Sequence, residues 1–297
     1  MKRRGFKSGI TPYLYVLPAI VPMLVFLYWP LIVNFILSVL DWNFISPTRN
    51  FIGLKNYTSL FQREAFSMAL INTGKYILGL LPWAILIPLA ISVLILTVKN
   101  KKLRDLYETA LFIPTVLSFS VACFVWIWML TPIGGVIATL LESVGLRPIS
   151  WLADHRFALW AIVIVSGWRM LGYHELLLGG SLKSVPTEYI EAATIDGASS
   201  WRIFWSIRFP LITPTVFFLL VTTAIFVSDY VFMPIHILTQ GGPYNASTNL
   251  IYLVYQFAFQ FFNTGLASAT ALITFLLFVI ITALVFYFGE RRVHYGD

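Results

Sequence analysis

The chain has 297 residues, of which 59% are hydrophobic and only 11% are charged, and its mean hydropathy is +0.82. This composition excludes a soluble globular domain and indicates a polytopic membrane protein. The net charge of +7 is explained by basic loops on the cytoplasmic side of a membrane, so it does not support binding to nucleic acid.

The predicted elements are six transmembrane helices, because six apolar runs are long enough to cross roughly 30 Å of hydrocarbon. They lie near residues 12–40, 71–98, 107–130, 157–180, 209–238 and 267–289. The first run is too long for the apolar part of a signal peptide and lacks a small-residue cleavage site, so we expect it to be retained. Pro18, Pro22 and Pro30 predict that this first helix is kinked or broken.

The third run contains the single cysteine, Cys123, so a packed thiol is expected and a disulfide within the chain is excluded.

A shorter apolar stretch at 249–262 follows the fifth run and bears on the count of spans. Its length, aromatic residues and glutamines favour an interfacial or re-entrant helix over a seventh span.

The distribution of Lys and Arg predicts that both termini are cytoplasmic. With six spans and an inside N-terminus, thirteen of these residues fall in cytoplasmic segments and five in outer loops, and a seventh span would place Arg291 and Arg292 outside. The predicted fold class is therefore all-α, with six transmembrane helices in a single membrane domain over residues 1–297.

A polar segment at about 184–210 separates the fourth and fifth runs, and its charges prevent it from lying in lipid. Pro186 suits the first turn of a helix, and the helix-compatible residues after it end at Gly197. One of the two serines that follow can cap a second short helix, before Pro210 starts the next span. The sequence thus predicts a helix–glycine–helix elbow on the cytoplasmic side.

The elbow carries a motif with the spacing E-A-A-x3-G-x9-I-x-F-P. Its residues are Glu191, Ala192, Ala193, Gly197, Ile207, Phe209 and Pro210. The spacing resembles the EAA motif of permease subunits in binding-protein-dependent ABC importers, with Phe209 in place of the usual leucine.

The resemblance implies that the elbow is a coupling helix seated in a cleft of the ATP-hydrolysing subunit. Glu191 would contact a basic residue there, Gly197 would form the bend, and Asp196 is assigned to the same coupling surface. The alternative reading of the residues alone is an amphipathic helix resting on the membrane surface.

Other stretches are similar to the carbohydrate branch of these permeases, which serves maltose, lactose and glycerol-3-phosphate. They include "FIGLKNY" (51–57), "GWRMLGYHELLLGGSLKSVP" (167–186) and "LTQGGPYNAST" (238–248). In the family the last stretch lies where the binding protein docks, whereas its Gly-Gly-Pro by itself predicts only a tight turn.

The resemblance implies a permease of the bacterial cytoplasmic (inner) membrane that imports a sugar, polyol or glycerol-phosphate-type solute. The implied partners are a second homologous permease, a dimer of ATP-binding subunits, an extracytoplasmic solute-binding protein and the lipid bilayer. No cofactor is implied. The chain lacks a G-x-x-x-x-G-K-[ST] loop, so we expect no enzymatic activity of its own and ATP hydrolysis on a partner. Its four histidines are scattered without metal-ligand spacing.

Charged residues inside the predicted spans require a reason, because each costs roughly 2.5–3.5 kcal/mol at bilayer depth. Arg169, Glu175 and Asp229 should therefore face the bundle interior or a polar pathway. The proposed lining of a substrate path comprises Tyr173, Ser228, Asp229 and Tyr230, with Glu175 a weaker candidate. A structural ion pair between Arg169 and Asp229 is the competing interpretation, and the two do not exclude each other.

Two other function classes compete with the importer permease. A self-contained secondary transporter or channel predicts internal repeats and interrupted helices in matching positions, and no convincing repeat is present. An intramembrane enzyme requires a nucleophile–base pair or a metal cluster, and neither H-E-x-x-H nor G-x-S-x-G occurs. The residues leave the identity of the solute open.

Overall fold

The computed structural model describes residues 11–289, and all long elements in this range are helices. In chain order they are α1 (Thr11–Met23), α2 (Trp29–Ser38), α3 (Lys55–Phe61), α4 (Glu64–Leu81), α5 (Ile87–Leu96), α6 (Lys101–Val116), α7 (Phe119–Leu130), α8 (Val136–Ser143), α9 (Ala158–Lys183), α10 (Thr187–Ile195), α11 (Ser200–Ile203), α12 (Phe209–Pro234), α13 (Leu250–Tyr255) and α14 (Thr264–Gly289). Wider π-helical turns extend or join some of them at Leu24–Tyr28, Pro82–Leu86, Phe204–Arg208, Ile235–Thr239 and Gln256–Gln260. The strands β1 (Leu40–Asp41) and β2 (Asn50–Phe51) form a short antiparallel ladder, in which Leu40 pairs with Phe51 and Asp41 with Asn50.

Four helical runs among the described residues are long and apolar enough to cross a membrane. They are Tyr13–Ser38, Glu64–Leu96, Ser200–Thr239 and Thr264–Tyr287. The apolar helix Leu250–Gln260 is shorter than these runs, in line with the prediction of a non-spanning helix at 249–262. The protein is therefore an all-α membrane protein.

The prediction of one continuous helix at 107–130 is wrong. The chain forms α6 and α7, which are bent by 100° relative to each other. Leu117 between them has an extended backbone, and the Oγ of Ser118 accepts a hydrogen bond from the N–H of Val121, which starts a new helix. Only α6 and α7 together are long and apolar enough to cross a membrane, so they can form a single, bent span.

Helix α9 corresponds to the fourth predicted span but does not qualify by hydropathy among the described residues. It packs against α4, α5, α6 and α12, and buried residues occur along its whole length. Because protein rather than lipid surrounds most of it, α9 can carry the polar side chains Arg169, His174 and Glu175, which lower its hydropathy.

Prolines do not break the long helices. The π-helical turns Leu24–Tyr28, Pro82–Leu86 and Phe204–Arg208 each precede a proline by one intervening residue, and these prolines are Pro30, Pro88 and Pro210. In every case the carbonyl four residues before the proline, with which its ring would clash, lies inside the widened turn. The first helix thus continues through a π turn to Ser38, and it is not broken as one reading of its prolines suggested.

The described chain divides into two compact units. The first contains residues 11–63 and 254–274. In it, the Nδ2 of Asn56 donates to the carbonyls of Ser38 (2.8 Å) and Leu40 (3.0 Å), which fixes the turn after α2. Gly265 lies so close to the Leu40 carbonyl that an added Cβ would be 2.2 Å from the oxygen.

The second unit contains residues 64–253 and 275–289. Its core includes a cluster of buried leucines and isoleucines from α5, α9 and α12, among them Leu89, Leu178 and Ile212. Ile190, Phe204 and Ile207, from the polar segment between α9 and α12, pack against this cluster. The segment is therefore held directly on the membrane helices that flank it.

Candidate coupling segment and membrane path

The predicted elbow is present, and its first helix ends at Gly197 as expected. The N–H of Gly197 donates to the Thr194 carbonyl (3.0 Å), and the N–H of Ala198 donates to the Ala193 carbonyl (2.9 Å). This pattern is a Schellman motif, which requires a left-handed residue at the turn. Gly197 supplies it with φ +75°, a conformation that costs glycine nothing.

The second arm of the elbow begins at Ser199, whose Oγ accepts a hydrogen bond from the N–H of Arg202 (3.3 Å). From Ser200 the helix continues through the π turn Phe204–Arg208 into α12 and on to Thr239. Residues 200–239 therefore form one continuous helical rod, whose first turns are the second arm of the elbow.

The outer surface of the elbow is exposed and mixed in character. Glu191, Ala192 and Asp196 are exposed, Ala193 is half-buried, and next to them Ile195 is 87% exposed. Together with Trp201, which is 73% exposed, Ile195 adds apolar area to this otherwise polar surface.

Two residues of the motif do not lie on this surface. Ile207 is half-buried against the core cluster, and Pro210 follows the π turn at the start of α12. Their positions indicate that they anchor and shape the segment, whereas Glu191, Ala192, Ile195 and Asp196 are exposed.

Residues proposed for the membrane path are only partly brought together. On α9, Tyr173 is 41% exposed. On α12, Asp229 is exposed and Tyr230 half-buried, and Tyr230 lies near Tyr173 and Arg169. The Oγ of Ser166 also donates to the Tyr230 carbonyl (3.0 Å), which fixes α9 against α12 at this level. These residues form an open polar and aromatic strip.

Glu175 and Ser228, which were also predicted to line the path, are buried and lie outside this strip. Glu175 is two residues from Tyr173, about 200° around the helix, and is buried where the Oγ of Ser92 donates to its Oε1 (3.2 Å). Ser228 is buried, and its Oγ has no hydrogen-bond partner among the described residues. Sequence alone missed Ser92, because only packing of α5 on α9 brings it to Glu175.

Arg169 does not pair with Asp229. Its Nε donates to the Leu117 carbonyl (3.1 Å), and its guanidinium lies 3.6 Å above the centre of the Phe119 ring. Among the described residues, ion pairs join Lys183 to Glu108 (2.7 Å) and Arg156 to Asp154 (2.7 Å), and the Nδ1 of His155 lies 3.6 Å from the Asp154 carboxylate. The structural ion pair that competed with the path interpretation is therefore not formed.

The loops at the other end of these helices are also well ordered by polar contacts. The two N–H groups of the Asn72 amide are shared among the carbonyls of Asn245 (3.1 Å), Ala246 (3.0 Å) and Thr248 (3.1 Å), which fixes the stretch after the Gly-Gly-Pro turn. The predicted turn is present, since the N–H of Gly242 donates to the Thr239 carbonyl (2.9 Å), and Tyr244 next to it is 88% exposed. The loop before α9 contains the Arg156–Asp154 contact (2.7 Å), a hydrogen bond that lowers the pKa of Asp154 to about 2.

Comparisons with known proteins agree on one kind of protein. A family model described as binding-protein-dependent transport system inner membrane component matches residues 87–294. The sn-glycerol-3-phosphate transport system permease protein UgpA of Agrobacterium fabrum is 32% identical, over 98% of each chain. UgpA of Rhizobium meliloti is 33% identical over 100% of each chain. The probable ABC transporter permease protein YurN of Bacillus subtilis is 33% identical over 91% of this chain and 93% of its own.

Solved structures share the fold. A bacterial ABC transporter involved in the import of the acidic polysaccharide alginate matches with a TM-score of 0.82 and 24% identity, over 96% of each chain. The bacterial alginate ABC transporter in complex with alginate pentasaccharide-bound periplasmic protein matches with a TM-score of 0.83 and 24% identity, over 98% of each chain.

Proposed function

The chain belongs to the family of binding-protein-dependent transport system inner membrane components, and from this premise we propose how it works as a carbohydrate-type ABC importer permease of the bacterial cytoplasmic membrane. We propose six spans with both termini in the cytoplasm, in one transmembrane domain. This count takes the bent pair α6–α7 as one span and adds the protein-buried α9 to the four apolar runs.

The observation that carries the mechanism is the continuity of the exposed elbow with a membrane helix. The surface around Glu191 and Ile195 is open, and the rod from Ser200 to Thr239 leads from it past Asp229. We infer that the elbow sits in a cleft of a separate ATP-binding subunit. When ATP closes the ATPase dimer, the rod moves and the polar strip on α12 opens towards the outside. ATP hydrolysis then returns the permease to its inward-facing state.

Asp229 supports a second permease as partner. Its side chain is exposed on this chain, and a carboxylate facing lipid costs roughly 2.5–3.5 kcal/mol. A homologous subunit placed against the strip of Tyr173, Asp229 and Tyr230 would enclose it in a water-filled path between the two permeases.

The strip also limits the solute class. Tyrosines and a carboxylate suit ligands rich in hydroxyl groups, as sugars and polyols are, and Arg169 is engaged elsewhere and does not neutralise Asp229. We propose a sugar, polyol or glycerol-phosphate-type solute, delivered by an extracytoplasmic solute-binding protein. An anionic solute on this path would need a cation from the partner permease.

The coupling role is tested by Gly197→Ala, which forces a Cβ into the left-handed region and distorts the Schellman turn. We expect the reconstituted importer to lose transport-coupled ATP hydrolysis by about tenfold, with membrane insertion unchanged. Gly145→Ala is the matched control, because Gly145 has a similar φ of +78° and, like Gly197, open space around its Cα. Equal effects of the two substitutions, or solute uptake without any ATP-binding subunit, would contradict the proposal.

A further inference from the structure

An apolar groove runs between α5 and α6 on the surface of the second unit. Its volume is about 430 Å³, and its walls are formed by Leu94, Ile95 and Val98 on one side and by Tyr107 and Leu111 on the other. The Tyr107 hydroxyl is the one side-chain polar group in this lining. Such a lining offers nothing to a sugar or another polar solute, but it suits a hydrocarbon chain.

The connection between the two walls is strongly basic. Lys99 lies in it, and Lys101, Lys102 and Arg104 begin α6, with Asp105 as the one acid in residues 99–106. The groove therefore ends at a cluster of cations. This arrangement is complementary to a molecule that joins an apolar chain to an anionic group.

Arg104 links the cluster to the groove. It precedes Tyr107 by three residues and Leu111 by seven, so that helical spacing places all three on one face of α6. The Nε of Arg104 is buried and has no hydrogen-bond partner within the described part of the chain. A buried guanidinium N–H without an acceptor is unfavourable, and a phosphate oxygen is a strong acceptor for this group.

The α6 wall of the groove is held rigidly from its other side. A Cβ added to Gly172 of α9 would be 2.3 Å from the Leu111 carbonyl oxygen, so the two helix backbones are in direct contact. Lys183 of α9 forms an ion pair with Glu108 of α6 at 2.7 Å. Because Glu108 is paired with Lys183, it does not neutralise the basic cluster, and the basic end of the groove remains available.

We propose that this groove binds one anionic phospholipid. Its acyl chain lies between α5 and α6, and its phosphate accepts hydrogen bonds from Arg104 and the neighbouring lysines. Near the membrane surface, each cation of such a cluster raises the binding constant for an anionic lipid by about a factor of five. An uncharged or zwitterionic lipid does not receive this gain in affinity. Assignment to the inner leaflet rests on the proposed topology, whereas the existence of the site does not.

The test uses the complete importer, purified after incorporation into vesicles of equal parts phosphatidylglycerol and phosphatidylethanolamine. Native mass spectrometry then counts the lipids bound to each complex. We expect the wild type to retain phosphatidylglycerol in preference to phosphatidylethanolamine, and Arg104→Gln to lower this retention about fivefold. The control Arg202→Gln removes an exposed cation from α11 and should leave the retention unchanged.

A second variant tests the acyl-chain part of the site. Ala110 is exposed and lines the groove, so Ala110→Trp should fill it and release the lipid while all the cations remain. Leu106→Trp on the same helix, outside the groove lining and 59% exposed, is the matched control.

Three results would overturn the proposal. They are absence of phosphatidylglycerol from the wild-type complex, retention that Arg104→Gln and Ala110→Trp leave unchanged, and displacement of the lipid by millimolar glycerol phosphate, which would indicate a site for the head group alone. The same spectra report the number of ATP-binding subunits per complex. If the wild-type complex contained no ATP-binding subunits but still retained the lipid, the proposed coupling would be contradicted and the lipid site would not.

Discussion

Arg169 supports the joint between α6 and α7. The backbone at Leu117 leaves the helical conformation, so its carbonyl has no acceptor role within a helix, and the Nε of Arg169 donates to it at 3.1 Å. The Oγ1 of Thr115 donates in return to the Arg169 carbonyl at 2.9 Å. The charge of Arg169 in the middle of α9 is thus stabilised by the carbonyl exposed at the bend between α6 and α7, and it does not require a carboxylate on α12.

Arg169→Gln should therefore destabilise the protein without any energetic link to Asp229. Loss of a charged hydrogen bond predicts a decrease of about 1.5–3 kcal/mol in the free energy of unfolding in detergent. In a double-mutant cycle with Asp229→Asn, the two changes should be additive within about 0.5 kcal/mol. A larger coupling energy would show that the two side chains interact in the assembled protein.

Residues differed in how far the sequence could place them. Gly197 was predictable, because a glycine between a helix-compatible run and a capping serine specifies the left-handed helix end by local chemistry alone. The partner of Arg169 was not predictable, because it is a backbone carbonyl that becomes available only where α6 and α7 separate. Asp229 was recognisable as a charged residue within a predicted span, but the direction of its side chain depends on which face of α12 the other helices cover.

The π-helical turn before Pro210 sets the rotation of the elbow relative to α12. A π turn contains one residue more than an α turn, and each residue rotates the chain by about 100°. Proline prevents the normal turn, since it lacks an N–H and its ring would clash with the Ser206 carbonyl. Pro210 thus affects the direction in which α11 leaves α12.

Pro210→Ala should allow a regular α-helical turn and reorient the elbow. We expect the melting temperature to stay the same or rise, because a helix-interior proline costs about 3 kcal/mol, while coupled ATP hydrolysis falls several-fold. Pro88→Ala is the matched control, since it follows an equivalent π turn in a helix far from the elbow in sequence. If both substitutions lower coupling equally, the turn at Pro210 has no special role in it.

Close packing of α6 on α9 depends on Gly172. A methyl group there would be 2.3 Å from the Leu111 carbonyl oxygen and 2.7 Å from the Phe112 Cα, and backbone atoms cannot move aside cheaply. Gly172→Ala should lower the free energy of unfolding by about 1–3 kcal/mol. Gly180→Ala, in the same helix with no atom near its added methyl, should be neutral or stabilising in the same denaturation assay. Equal stability of the two variants would refute the packing argument.

Elements were predictable where lipid faces them and less so where protein does. The four runs that qualify as spans coincide with long apolar stretches of the sequence. Helix α9 was expected from the length of its apolar run. Its polar residues lower its hydropathy below that of the other spans, and they are tolerated because neighbouring helices cover them. The bend after α6 escaped prediction, since Ser118 is an ordinary residue within an apolar run and acts as a cap only once the chain has turned.

At the scale of the whole molecule, the second unit connects the two surfaces on which partners are proposed. The rod from Ser200 to Thr239 starts at the elbow, passes the core cluster around Ile212 and ends at the loop that carries Tyr244. This helix is longer than the roughly 30 Å of the hydrocarbon layer. The proposed crossing of the membrane by this helix places the elbow and the loop in opposite compartments.

Labelling of single cysteines tests this topology, because the native Cys123 is buried and should react slowly. Ile195→Cys, Tyr244→Cys and Ile133→Cys place thiols at positions that are 87%, 88% and 88% exposed. In right-side-out vesicles, a membrane-impermeant maleimide should label positions 133 and 244 at once, and position 195 only after permeabilisation. The ATP-binding subunits should then protect position 195 alone. Labelling of position 133 together with position 195 would mean that α6 and α7 do not cross the membrane, and labelling of 195 from outside would exclude its contact with a cytoplasmic ATPase.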